Sequence, residues 1–285
     1  METILCSRCK KYTFMCICEE FTCSGKIDVL NGVKYTSISI STMTVCFNFN
    51  QEINLPLLKE QLPETLKISY HPGSKKSKVK KKKGTDSFYN SFDIKMTFVD
   101  QSNETTEPIF SNVSIFIFPN GKVKVAGIKT YNTIDTVIEE LIYLVNYVPG
   151  TVDVPQTLGV ENVKIQMICS DFKIKPIKEN PEGWCLKQEE LKNILVRNGY
   201  SATFSALSRY PGINLKFPSV VEKGKQISLL IFRSGSIIIT GAKNLKDIST
   251  SYIFITDIIS KNSNTLFYYD INEEIKQKKK NKMVQ

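Results

Sequence analysis

Alternation of apolar and polar residues with period two dominates this chain, and four stretches break it with apolar residues spaced for a helix. YTSISISTMTVCFNF (35–49), SFDIKMTFV (91–99), VKIQMICSDFKIKPI (163–177) and YPGINLKF (210–217) alternate as strands. LPLLKEQL (55–62) reads as a short helix, and KQEELKNILVRNG (187–199) as a longer one stopped by its glycine. Ile134, Val137, Ile138, Leu141, Val145 and Val148 recur at helical spacing after an Asn132-Thr133 cap, and the pattern ends at Pro149-Gly150. Leu245, Ile248, Tyr252, Ile255 and Ile259 repeat it after Asn244.

The segment before each of those two helices is itself repeated. IFPNGKVKVAGIK (117–129) reads as strand, tight turn, strand, and the turn residues Asn120 and Gly121 both tolerate positive φ. IFRSGSIIITGAK (231–243) lies at a constant offset of 114 residues (231 minus 117). Five of thirteen positions are identical: Ile117/Ile231, Phe118/Phe232, Gly121/Gly235, Gly127/Gly241 and Lys129/Lys243. The order strand, helix, strands, helix therefore runs twice, at roughly 33–150 and 158–270. This predicts an α+β fold with an antiparallel sheet, helices on one side and the other face left open. If Ile115, Ile117, Val123 and Val125 face the helices, then Phe116, Phe118, Lys124 and Ala126 face the other way. A hairpin does not need an aromatic at the edge of its turn, yet Phe118 and Phe232 both stand there.

The expected organisation is a Cys-rich segment (1–32), a first repeat (33–150) with a Lys-rich insertion (74–84), and a linker (151–162). A second repeat (163–270) and a basic tail (271–285) follow, with KQKKKNK (276–282) read as disordered. The net charge of +10 comes mainly from lysine and favours a polyanionic partner. KKSKVKKKKG (75–84) is a solvated loop; phosphate contact, nuclear localisation and a plain charged loop are its three readings.

No apolar run is long enough for a membrane span, and the N-terminus lacks a secretory apolar region, so an intracellular protein, nuclear or in a cytoplasmic viral compartment, is expected. The one histidine, His71, lies in Tyr-His-Pro-Gly beside the lysine run, which disfavours His-based catalysis. No phosphate-binding glycine loop is present, and a non-enzymatic role is expected. Of eight cysteines, Cys6, Cys9, Cys16, Cys18 and Cys23 crowd the N-terminus. Cys6-x-x-Cys9 suits half a tetrahedral zinc site, with Cys18 and Cys23 as the other half; free, redox-labile thiols are the alternative. Cys46, Cys169 and Cys185 are isolated and read as structural.

The blocks IFPNGKVKVAGIK and LLIFRSGSIIITGAK, together with RYPGINLKF (209–217), resemble the signature hairpins and Phe-Pro-Gly strand of the TATA-box-binding protein family. The resemblance covers roughly 35–265, is strongest over 204–250, and its departures suggest a distant member such as those of large DNA viruses. It implies a saddle: a curved antiparallel sheet whose concave face lies on the DNA minor groove, with helices on the convex face. Phe118 and Phe232 match the wedge aromatics that kink the duplex, and Phe92 and Tyr210 match the second wedge of each repeat. Minor-groove wedging by this family is the standard example of that mechanism.

The same matching puts Leu230, Ile238 and Thr240 on groove edges in the second repeat, with Lys216 and Lys243 near phosphates. In the first repeat Phe116, Lys124 and the alanine at 126 take the groove positions, with Lys122 and Lys129 near phosphates. Thr42, Thr44 and Met167 fall at the centre of the site, where the family usually has Asn at the first and last; a standard TATA preference is therefore in doubt. The implied partners are A·T-rich promoter duplex, an RNA polymerase and a factor like transcription factor IIB, with no membrane and no small-molecule substrate. The family's acidic docking loop reads SALSR (205–209) here, with no acid. A protein-interaction adaptor without DNA bending, and a DNA-positioning module of a processing enzyme, are the rival readings.

Overall fold

A computed structural model describes residues 28–30, 32–63, 67–71, 90–100, 108–178, 183–208 and 211–282. The N-terminal cysteines Cys6, Cys9, Cys18 and Cys23, the lysine-rich insertion and Tyr210 lie outside the described residues.

The first half runs β1 (Asp28–Leu30), β2 (Val33–Tyr35), β3 (Ser39–Phe49), α1 (Leu55–Gln61), β4 (Lys67–His71), β5 (Ser91–Asp100), β6 (Ile109–Ile117), β7 (Lys122–Ile128) and α2 (Asn132–Tyr147). The second half runs β8 (Val160–Pro176), β9 (Trp184–Leu186), α3 (Gln188–Arg197), β10 (Ser201–Thr203), β11 (Gly212–Pro218), β12 (Gln226–Phe232), β13 (Ser236–Ala242) and α4 (Leu245–Lys261). It closes with α5 (Ser263–Leu266), β14 (Phe267–Tyr269) and α6 (Ile271–Lys282). Within each unit the described strand pairs are antiparallel.

The chain forms two compact units, one of Thr42–Met167 and the other of the residues up to Ser41 and from Ile168 onward. The divisions fall inside β3 and β8. In the first unit β7 pairs β3 and β6, β6 pairs β5, and β5 pairs β4. The core takes one side chain in two from these strands, with Val45, Ile94, Ile115, Ile117 and Val125 almost fully buried. Against it α2 buries Val137, Leu141 and Val145. Thr130 Oγ1, rather than Asn132, receives the Thr133 N–H at the start of α2. In the second unit β13 pairs β8 and β12, β12 pairs β11, and β11 pairs β10. Here α4 buries Ile248, Tyr252, Ile255 and Ile259, and the Tyr252 ring stands edge-on to Phe172 at 4.6 Å. Asn244 caps α4 by accepting the Asp247 N–H at 2.8 Å, as its position in the sequence requires.

Residues 151–162, expected as a linker, are held by hydrogen bonds: Gln51 both donates to Val154 O and accepts from Val154 N, and Asn50 does the same with Thr157 O and Gly159 N. One expectation is corrected: 276–282, read as disordered, lies within α6. Ion pairs hold that helix where an apolar face is lacking: Glu273 with Lys276 at 2.9 Å, and Glu274 with Lys278 at 2.6 Å.

Candidate nucleic-acid interface

Each repeated hairpin closes in the same way. The Gly121 N–H donates to Phe118 O at 3.0 Å, and the Gly235 N–H to Phe232 O at 3.0 Å. Asn120 keeps a negative φ, contrary to the expected pair of positive-φ residues; only the glycine of each turn is left-handed, at +76° and +79°. A side chain there is excluded twice over. An added Cβ would stand 2.5 Å from Gln51 O at position 121 and 1.9 Å from Ile174 O at position 235. The repeated glycines thus seat each turn against the edge of a neighbouring strand and fix the aromatic that precedes it.

Both aromatics are half-buried on the side of their sheet away from the helices. In the second unit the Phe232 ring lies over Gly212, where a Cβ would meet ring atoms at 3.1 and 3.2 Å. This accounts for the glycine of Tyr-Pro-Gly. The Gln188 side chain, only 9% exposed, donates to Pro211 O at 2.9 Å and Ile231 O at 3.0 Å, tying the start of β11 to the end of β12. The Leu186 N–H donates to Arg233 O at 2.8 Å. Arg233 in turn binds Tyr268 OH at 2.7 Å and forms ion pairs with Asp270 and Glu273. The C-terminal segment therefore braces the hairpin that carries Phe232. The Asn272 N–H and, against the effect of burial, the Arg233 guanidinium hold the Asp270 carboxyl below its usual value.

Side-chain rows on this open face follow from the register. In the second unit Asn214, Leu230, Ile238 and Asp171 stand side by side, and Lys216, Ser228 and Thr240 form the next row. Lys216 Nζ donates to Ser228 Oγ at 2.7 Å, and Thr240 Oγ1 lies 3.2 Å from Cys169 Sγ. In the first unit the matching rows are Asp93, Phe116, Lys124, Cys46 and Lys95, Ser114, Ala126, Thr44. Thr42 is half-buried in the same alternation, and Lys122 and Lys129 are exposed at the two ends of β7. An open groove beside Phe118 is lined by Cys46, Asn48, Lys122, Lys124 and Lys164. Lys243 is paired with Glu222 at 3.2 Å, so its expected approach to phosphate requires that pair to open.

Phe92 is the clear correction among the expected wedges. It is fully buried, opposite Ile117 in the register and on the core side. Gly212 pairs with Phe232, and Phe92 pairs with Ile117, so Ser91 occupies the place of Gly212. Counting back two residues, the counterpart of Tyr210 is Tyr89, outside the described residues, while Phe92 corresponds to the core residue Ile213. The same register makes Lys95 the counterpart of Lys216, a cation that spacing alone had missed. Cys46 and Cys169, read as structural, are half-buried on the open face, and Cys185 alone of the three is buried. Burial raises the Cys46 thiol pKa, partly opposed by Lys124. Among the described residues no cluster of His, Cys, Asp or Glu could hold a metal ion, and no helix is long and apolar enough to cross a membrane.

Two copies of one antiparallel plan, each with helices on one face and a turn aromatic on the other, define a two-repeat α+β fold that a solved structure shares. The Methanococcus jannaschii TBP structure superposes with a TM-score of 0.51 at 18% identity, over 79% of this chain and 99% of that one. Residues 201–262 match the family model described as transcription factor TFIID, or TATA-binding protein. A curated protein of Acanthamoeba polyphaga mimivirus, "TATA-box-binding protein-like", is 28% identical over 250 residues, 79% of this chain. The match spans 65% of that relative's length. The chain is thus similar in sequence to a viral TATA-box-binding-protein-like protein and shares its fold with a solved TBP.

Proposed function

We propose that this protein acts at transcription initiation by binding duplex DNA through the minor groove and bending it. The observation that carries the reading is the turn aromatic of each repeat, Phe118 and Phe232, fixed by a left-handed glycine on the face away from the helices. A flat apolar side chain held rigidly can enter a base step and replace part of the lost stacking. Lys95, Lys122, Lys124, Lys129 and Lys216 lie on or beside the same faces and suit the flanking phosphates. An RNA polymerase and a factor like transcription factor IIB are the proposed protein partners. The SALSR loop presents Leu207, 98% exposed, in place of acids, so such a factor would meet an apolar contact there.

Asp93 and Asp171 on the open face favour a second reading, a protein-binding adaptor, because carboxylates repel phosphate. Charge reversal separates the two. Anisotropy titration of a labelled A·T-rich duplex with wild type and with Lys95→Glu/Lys122→Glu/Lys216→Glu is expected to show salt-sensitive binding that the variant loses. Equal binding by both would overturn this use of the face.

A further inference from the structure

We propose that Lys122, Lys124 and Lys164 form a phosphate-binding groove beside Phe118, and that its lack of a counterpart in the second repeat fixes which way round the protein sits on DNA. The inference rests on the minor-groove reading above. The groove has a volume of about 540 Å³, and all its lining residues fall within the first unit. The three lysines share it with the amides of Asn48, Asn162 and Gln166. An ammonium group donates three hydrogen bonds and accepts none, and an amide donates two, so the lining suits the oxygens of a phosphodiester. Lys164 is the member that spacing does not reveal: by sequence it falls in the second repeat, yet β8 up to Met167 belongs to the first unit.

Register shows what the second unit has in its place. Phe116, Lys124 and Cys46 stand side by side in the first unit, and Leu230, Ile238 and Asp171 hold the same positions in the second. Where the first has a cation and a thiol, the second has an apolar side chain and a carboxylate. Beside Cys46 the groove takes in Lys164, whereas Asp171 accepts a hydrogen bond from the Ser41 hydroxyl. The other rows do not reverse the difference. Lys122 with Asn48 is matched in charge by Ser236 with Lys173, and Lys95 by Lys216. Lys129 is matched by Lys243, which Glu222 pairs at 3.2 Å. Only Asp93, opposite Phe116, works the other way, against Asn214. Over these positions the first face carries two more positive charges than the second, before the Glu222 pair is counted. A repeated fold can meet duplex DNA either way round, and unequal charge on the two repeats removes that degeneracy. The first repeat takes the half of the site whose backbone it grips by charge; the second relies on Phe232, Leu230 and Ile238.

The test uses full-length protein and a palindromic A·T-rich duplex in which methylphosphonates, which carry no charge, replace the phosphates of one half. A donor dye joined beyond α6 marks the second unit, because Arg233 ties that segment to the Phe232 hairpin. Energy transfer to an acceptor on either DNA end then reports orientation. Wild type is expected to put the dye at the uncharged end in about 3- to 10-fold excess, the scale of two exposed ion contacts. Lys124→Gln/Lys164→Gln should still bind and bend the duplex but lose the excess. On the fully charged duplex its slope of log K against log salt should flatten by about 1.8, at about 0.9 per contact. Lys216→Gln should keep the excess. An even distribution by wild type overturns the proposal, as does an excess at the charged end or one that survives in the double variant. Binding without a preferred orientation refutes this inference alone, whereas failure to bind either duplex refutes the DNA reading with it.

Discussion

Replacing Gln188 by Glu isolates the brace under the Phe232 hairpin, because shape and volume are kept and only the donor is lost. The wild-type side chain is 9% exposed and donates to two carbonyls, at 2.9 and 3.0 Å. Losing two neutral hydrogen bonds costs about 2 kcal/mol, and an ionised carboxylate facing two carbonyl oxygens adds a desolvation and repulsion penalty. The carboxyl limits that penalty by protonating, which returns one donor. Residue 188 also opens α3, where a negative charge gains about 0.3–1 kcal/mol from the helix N-terminus. Glu189 and Glu190 are already there and reduce the gain. The loss therefore outweighs the gain, at about 3 kcal/mol above neutral pH.

The sign follows from linkage. The folded carboxyl has a pKa well above its unfolded value of about 4.3, so the folded state binds the extra proton and stability falls as pH rises between the two. With roughly 2–4 °C per kcal/mol for a chain of this size, thermal melts should place Gln188→Glu about 6–12 °C below wild type at pH 8 and within a few degrees at pH 4. An equal deficit at both pH values, or none at pH 8, would refute the buried two-carbonyl brace.

Other substitutions and conditions probe the remaining parts. Phe92→Ala should cost about 3–5 kcal/mol in denaturant unfolding as a core cavity, while Tyr89→Ala should leave stability unchanged and reduce DNA bending; the reverse pattern would refute the register equivalence. Saturating duplex should slow alkylation of Cys46 and Cys169, read by peptide mapping, and leave Cys185 at its slow rate; unchanged rates at Cys46 and Cys169 would place DNA elsewhere. Asp270 is held below its usual pKa by the Asn272 N–H and Arg233, and Glu274 by Lys278 and then Tyr269. Depressed carboxylates stabilise above their unfolded pKa near 4 and lose that contribution as pH falls through the lower folded value. Hydrogen exchange should therefore show residues 267–282 loosening before the second-unit sheet on acidification below about pH 4. Simultaneous loosening would contradict a brace held by those pairs.

Period-two patterning made the strands and their two faces readable, because one side of each sheet is apolar and the other mixed, as Ile115/Phe116/Ile117/Phe118 shows. The helices were readable from their spacing and from Asn244. The error at Phe92 has a specific origin. The hairpins repeat at an offset of 114 residues and the strand before each hairpin at 121 (Gly212 minus Ser91), whereas matching Phe92 to Tyr210 uses an offset of 118 and so falls three residues too far along. Only strand register exposes that difference. β9, β10 and β14 have three residues each, too few for any period to register. α6 lacked an apolar stripe and was hidden in its lysines, because charge pairs to Glu273 and Glu274 carry it.

The central claim is that Phe118 and Phe232 bend DNA, and fluorescence energy transfer across an end-labelled A·T-rich duplex tests it most directly. At fixed salt, wild type is expected to shorten the end-to-end distance, and Phe118→Ala/Phe232→Ala to bind with its lysines intact yet leave the duplex straight. Equal bending by the double variant, or salt-sensitive binding by wild type without any bending, would contradict the account.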